Sequence, residues 1–251
     1  MRRRFNFKNQ QYNKQLESIP HNFAVTHDNE KGESVLTIYG DIGESWWWES
    51  TSAVDVDNAL KAAGSNDIVV NLNSPGGDAF DGIAIYNRLK NHPGKVTIYI
   101  DGWACSAASV IAMAGDEVIM GAGAMLMIHE ASNIVWGSKN DFRKQADLLE
   151  KLEDGLIDIY MQKANVSRED VRQKVDDETW FSANDAMEIG FATSTAANSS
   201  TPINSNKFKI NDEQLQQIIN TVTNNLKQNN EPSNEPIVSV VAAQPRNRRF
   251  F

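Results

Sequence analysis

The strongest constraint on the fold of this chain is the alternation of short β-branched runs with segments of helical spacing between residues 34 and 193. Ser34 to Tyr39 (SVLTIY), Asp67 to Asn73 (DIVVNLN), Val96 to Ile100 (VTIYI), Glu117 to Met120 and Ala124 to Ile128 are short and largely apolar, as buried strands are. Between them, Val54 to Ala63 and Asp81 to Lys90 carry helical spacing, the second with Ile83, Tyr86 and Leu89 along one side. His92, Pro93 and Gly94 then stop it. Strands separated by helix-length connections pair in parallel, so the expectation is an α/β fold with a mostly parallel sheet. Further helices are predicted over about Asn140 to Ala164, Ser167 to Val175 and Ser182 to Ile189. The last begins on an N-cap serine and ends at Gly190.

A chain of 251 residues, 41% hydrophobic, has enough apolar surface for one main core. Its net charge of −9 and scattered cations argue against a nucleic-acid partner for the folded body. The start MRRRFNFKNQ is basic like a signal peptide, but polar residues follow it. No apolar run is long enough to span a bilayer, so the expected location is the cytoplasm and no membrane partner is expected. The single cysteine, Cys105, excludes an internal disulfide framework.

The composition divides the chain into three parts. Residues 1–23 are polar and unpatterned, and read as a flexible arm; residues 24–193 form the domain; residues 194–251 read as linker and tail, largely disordered. The change is abrupt at TSTAANSSTPINSN. Within the tail, Leu215, Ile218, Ile219, Val222 and Leu226 recur at helical spacing behind Asn211, which predicts one amphipathic helix near 211–228 and a docking or assembly role. Trp46, Trp47 and Trp48 cannot all face one core. They read as an aromatic cluster on a loop, or as a subunit contact or substrate wall.

Chemistry concentrates at two turns. Ser106 lies in GWACSAAS, between a buried strand and a run of small apolar residues, at a helix N-terminus where free N–H groups stabilise an oxyanion. His129 follows at the end of AMLMIHE. Alone, Ser106 reads as an N-cap and His129 as a satisfied polar group at a strand end; together they read as nucleophile and base. Cys105 reads as filler beneath the turn. In NSPGGD, two glycines directly after a strand give a backbone able to point N–H groups at a ligand, with Gly76 or Gly77 as oxyanion donor. A base needs an acceptor on its second nitrogen, and Asp176, Asp177 and Glu178 offer three carboxylates among which spacing does not choose. The chemistry requires neither metal nor cofactor.

These motifs, NSPGG, GWACSAAS followed by AMAGDE, MIHE and WFSANDAMEIGFA, resemble in order and spacing the ClpP family of serine peptidases (peptidase S14) over residues 34–193. The resemblance implies a ClpP/crotonase-like fold of repeated β-β-α units with a protruding handle helix, here about Asn140 to Ala164. It implies Ser106 as nucleophile, His129 as base, and the Gly76–Gly77 turn with the Ala107 N–H as oxyanion hole. Counting back from WFSANDA puts Glu178 where the family usually has aspartate, with Asp176 or Asp177 as alternative acid. It also implies a homo-oligomer of single or stacked rings.

More narrowly, MRRRFNF, GESWW, GWACSAASVIAMAGDEV, ETW and the tail resemble the ClpP-related head maturation proteases of tailed bacteriophages. Those cleave capsid or scaffold proteins in the host cytoplasm or inside the procapsid. No N-terminal docking loop of the kind that binds a ring ATPase is evident, which argues against an ATPase partner. Two other readings remain: a catalytically inactive ClpP-like assembly subunit, and a crotonase-type acyl-CoA enzyme that needs no serine nucleophile.

Overall fold

The structure is a computed structural model describing residues 7–28, 30–45 and 49–196. Its strands are β1 (Asn22–Asp28), β2 (Glu33–Tyr39), β3 (Asp67–Ser74), β4 (Val96–Cys105), β5 (Glu117–Met120), β6 (Met125–Ile128), β7 (Thr179–Ser182) and β8 (Ser194–Thr195). Its helices are α1 (Asn13–Glu17), α2 (Ala53–Ala63), α3 (Ala79–Lys90), α4 (Ala107–Ala112), α5 (Lys139–Met161), α6 (Arg168–Asp176) and α7 (Ala183–Ile189).

The sheet runs β1-β2-β3-β4-β5-β8, with β6 beside the far end of β4 and β7 beside β6. Pairing is parallel from β2 through β8 and between β4 and β6, and antiparallel for β1–β2 and β6–β7. The α/β expectation holds. Alternate residues of the central strands are buried because each strand has helices against its core face: Leu36 and Ile38 on β2, Ile68, Val70 and Leu72 on β3, Ile98 and Ile100 on β4. Helix α4 is buried along its whole length, which its small side chains permit.

Helices α2, α6 and α7 each begin on Ser-x-x-Asp, in which the serine hydroxyl accepts the N–H of the aspartate three residues on. The aspartate carboxylate in turn accepts the serine N–H, a reciprocal cap that fixes where each helix starts. Helix α5 buries Leu156, Ile157 and Tyr160 yet exposes Phe142 and Leu148, so it carries apolar residues on a second side. Among the described residues no helix is long and apolar enough to cross a membrane.

The structure departs from the sequence reading at both ends of the domain. The segment expected to be a flexible arm is docked from Phe7 onward: Phe7 and Leu16 are buried in a second cluster with Cys105 and Met127, flanked by Tyr12, Ile19, Trp103 and Trp180. Four aromatic rings there offset the small number of apolar residues in the arm. At the other end the core does not stop at Thr193, because β8 pairs with β5 and Ala196 N–H donates to Met120 O at 2.9 Å. Trp46 to Trp48, the linker beyond Ala196 and the helix expected near 211–228 lie outside the described residues.

Candidate active site

Strand register brings the candidate residues together. β4 pairs with β5 through Thr97–Ile100 and then with β6 through Trp103–Cys105, so it continues past the point where its β-branched run ends. Cys105 lies opposite Met127, and both strands leave the sheet at the same end, delivering Ser106 and His129 side by side. Ser106 Oγ lies 2.8 Å from His129 Nε2. Antiparallel β7 places Thr179 opposite Ile128, and one step further along that ladder Glu178 reaches the level of His129. On the other flank, Ser74 of β3 pairs with Ala104, which sets the Pro75–Gly76–Gly77 turn against Ser106.

Ser106 has φ 55° and ψ −125°, a left-handed backbone that costs a non-glycine residue about 1–3 kcal/mol. Its hydroxyl makes no capping bond to α4; the N-cap alternative is therefore replaced by the contact with His129. The backbone is pinned on both sides, by Ser106 N–H donating to Met127 O at 2.9 Å and by Ser109 N–H donating to Ser106 O at 2.9 Å. A strained turn fixed in this way aims the hydroxyl out of the sheet end.

The glycine turn fits against that strained residue. A Cβ on Gly76, whose φ is +93°, would fall 2.5 Å from Cys105 O and 2.8 Å from Ser106 Cβ; one on Gly77 would fall 2.0 Å from Ile42 O. Only glycine allows this approach. Of the two N–H groups, that of Gly76 donates to Ser74 Oγ at 3.0 Å. Among the described residues the N–H groups of Gly77 and Ala107 have no acceptor, which leaves that pair able to receive an oxyanion.

Burial lowers the pKa of His129 from its ordinary 6.5, while the negative charges of Glu178 and Glu130 act in the opposite direction. A neutral imidazole whose Nε2 faces a serine hydroxyl can take its proton. Phe7 meets the ring edge-on from the arm side. Cys105 is buried, and that burial together with the charge of Glu178 pushes its thiol far up, so it stays protonated and packs beneath the turn.

Of the three candidate acids, Glu178 is the one brought to His129. It is buried at 8% exposure and has φ 57°. Its Oε1 accepts Asn9 N–H at 2.8 Å and Trp180 Nε1–H at 3.1 Å, and its Oε2 accepts Lys8 N–H. His129 is not among these donors. Asp177 is exposed and accepts from Gln173 Nε2 at 3.0 Å, while Asp176 ends α6 and takes part through its main-chain oxygen, which accepts Lys8 Nζ. The sequence reading missed Lys8, Asn9 and Trp180 as partners of the acid. Trp180 is only two residues from Glu178, but the positive φ of Glu178 takes the pair out of simple strand alternation.

Residues 50–199, more than half of the chain, match the family model described as Clp protease. The ATP-dependent Clp protease proteolytic subunit 1 of Chlamydia muridarum (strain MoPn / Nigg) is 33% identical over 127 residues, 49% of this chain and 66% of that protein. Proteolytic subunit 3 of Rhodococcus jostii (strain RHA1) is 32% identical over 126 residues, 49% and 62% respectively; the chain thus spans just under two thirds of these relatives. A mutant ClpP1 from Listeria monocytogenes has the same fold, with a TM-score of 0.56 and 23% identity over 64% of this chain and 90% of that one. The matched stretch contains the glycine turn, Ser106, His129 and Glu178, and the chain belongs to the Clp protease family.

Proposed function

We propose that the chain is a serine endopeptidase that cleaves capsid or scaffold proteins during maturation of a phage prohead. The observation that carries the peptidase reading is the 2.8 Å contact between Ser106 Oγ and His129 Nε2 on a positive-φ turn. In this reading His129 takes the Ser106 proton as the oxygen attacks a peptide carbonyl. The Gly77 and Ala107 N–H groups hold the oxyanion, Gly76 shapes their turn, His129 returns the proton to the leaving amine, and water hydrolyses the acyl-enzyme. Glu178 is the acid of the triad, ahead of Asp176 and Asp177. The prohead role draws on the motifs shared with the phage enzymes and on a polar tail after the domain. Ring assembly draws on family membership and on the two-sided apolar character of α5.

A fluorophosphonate probe tests the chemistry: it labels the wild type and fails to label Ser106→Ala. Labelling that persists in the variant rejects the assignment. Intact mass after incubation tests processing, since a maturation protease with a linker beyond Ala196 shortens itself there and Ser106→Ala does not.

A second reading, an inactive assembly subunit, is favoured by one observation: the Glu178 carboxylate accepts from Lys8, Asn9 and Trp180 rather than from His129. It predicts ring formation without labelling.

A further inference from the structure

Ser109 and Tyr160 are buried hydroxyl residues outside the reacting groups, and they lie in line with the nucleophile. Ser109 Oγ donates to Ser106 O at 2.6 Å and lies 2.7 Å from Tyr160 Oη. A serine hydroxyl has one hydrogen, and a carbonyl oxygen only accepts. The Ser109 proton is therefore committed to Ser106, and Tyr160 must donate to Ser109. Burial pushes the Tyr160 phenol far up, which keeps that proton in place. The relay Tyr160 Oη–H to Ser109 Oγ–H to Ser106 O is shielded from water, with Ser109 fully buried and Tyr160 3% exposed. Phe191 stacks against the Tyr160 ring, centroids 5.5 Å apart.

We propose that Ser109 and Tyr160 are positioning residues for the nucleophile, a two-hydroxyl strut that fixes the Ser106 peptide from helix α5; this rests on the serine-peptidase reading. A left-handed serine persists only where its surroundings over-determine it. Helix α4 supplies two ordinary first-turn bonds to Ser106 O, from Ser109 N–H at 2.9 Å and Val110 N–H at 3.3 Å. The hydroxyl bond is the shortest of the three, and the Ser109 hydroxyl that makes it is itself held from outside the short helix, by Tyr160 in the last turn of α5. Through it, the orientation of the Ser106 peptide is referred to a 23-residue helix rather than to a six-residue one. Among the described residues neither Ser109 nor Tyr160 hydrogen-bonds to His129, so the strut acts on the aim of Ser106 Oγ.

The test measures kinact and KI for a fluorophosphonate, with Tm, in the full chain as Ser109→Ala, Tyr160→Phe and the double variant. Removing one hydroxyl misaims the nucleophile, so kinact falls about tenfold in Ser109→Ala and about threefold in Tyr160→Phe, with KI within about twofold of wild type. The double variant separates aim from stability. Ser109→Ala leaves the Tyr160 hydroxyl buried without an acceptor, whereas the double variant removes both partners and recovers Tm. A strut predicts that kinact in the double variant stays at the Ser109→Ala value while Tm recovers. Recovery of kinact together with Tm, or unchanged kinact in both single variants, overturns the proposal. If Ser109→Ala does not fold, the near-isosteric Tyr160→Phe decides alone, and an unchanged kinact rejects the strut. A wild type that never reacts rejects the peptidase reading itself, and the strut with it.

Discussion

Phe7 presents its ring edge to the imidazole of His129, with centroids 5.1 Å apart and planes at 77°, so a residue from the N-terminal segment forms one wall around the base. Burial is the largest influence on His129 and holds its pKa below 6.5. In the proposed mechanism His129 works as neutral imidazole, so reactivity is expected to be lost as pH falls through that lowered value. The acid limb of the pH–rate profile for fluorophosphonate inactivation is therefore expected below pH 6.5. Phe7→Ala admits water, raises the pKa towards 6.5, and moves the limb up. A limb that stays in place or moves down rules out burial by Phe7 as the cause. The same linkage acts on stability: the unfolded chain binds the His129 proton more readily, so this contribution is present above pH 6.5 and declines as pH falls through the native value.

Glu178 gives a second expectation. Its two oxygens accept from three N–H groups, and Glu178→Gln turns one acceptor into an NH2 facing a donor. Leaving a buried donor unpaired costs about 1–3 kcal/mol, which for a domain of this size lowers Tm by roughly 2–4 °C per kcal/mol. The substitution also removes a charge that raises His129, so the acid limb moves further down. Thermal melts and the pH profile report the two effects separately.

Gly76 and Gly123 separate steric fit from backbone strain. Both have positive φ, +93° and +76°, but a Cβ on Gly76 meets Cys105 O and Ser106 Cβ whereas one on Gly123 meets nothing within 4 Å. Gly123→Ala is expected to lower stability by about 1–2 kcal/mol with inactivation kinetics intact. Gly76→Ala displaces the Ser106 turn and lowers kinact at least tenfold, by the sensitivity of attack geometry to displacements near 1 Å. Equal kinetics in the two variants would contradict a role for the close packing of Gly76 on Ser106.

Cys105 adjoins Ser106 in sequence but is buried with its thiol pushed up. Iodoacetamide is expected to leave it unmodified in the native protein and to alkylate it after denaturation. Cys105→Ala retains fluorophosphonate labelling, and loss of labelling would transfer the nucleophile role away from Ser106.

Much of the fold could be read from the chain because its central strands are buried and β-branched. Ser106, His129 and the glycine turn stand out through local chemistry at strand ends, and the structure brings them together. Three of the elements that were missed have identifiable reasons. Strand β1 lies at the sheet edge and exposes much of its length, so its hydrophobic alternation is weak. Strand β7 is four residues long and runs directly into the capping serine of α7, which masks it as part of a helix start. The docked arm depends on tertiary contacts: Lys8 and Asn9 reach Glu178 across 170 and 169 residues, a separation that no local pattern reports. The choice among three acids required the β6–β7 register for the same reason.

That register makes the identity of the carboxylate beside His129 a question of parity. Sliding β7 by one residue would bring Asp177 level with the imidazole, but it would also turn Phe181, 3% exposed, from the core to the opposite face. Sliding it by two would present Asp176 with the faces preserved, although every pair between Ile128–Thr179 and Met125–Ser182 would have to re-form. A one-residue slip of β7 along β6 is thus opposed by the core. Substitution at position 178 changes the carboxylate at this level without disturbing the pairs, so changing glutamate to aspartate here alters the reach of the side chain while the ladder stays fixed.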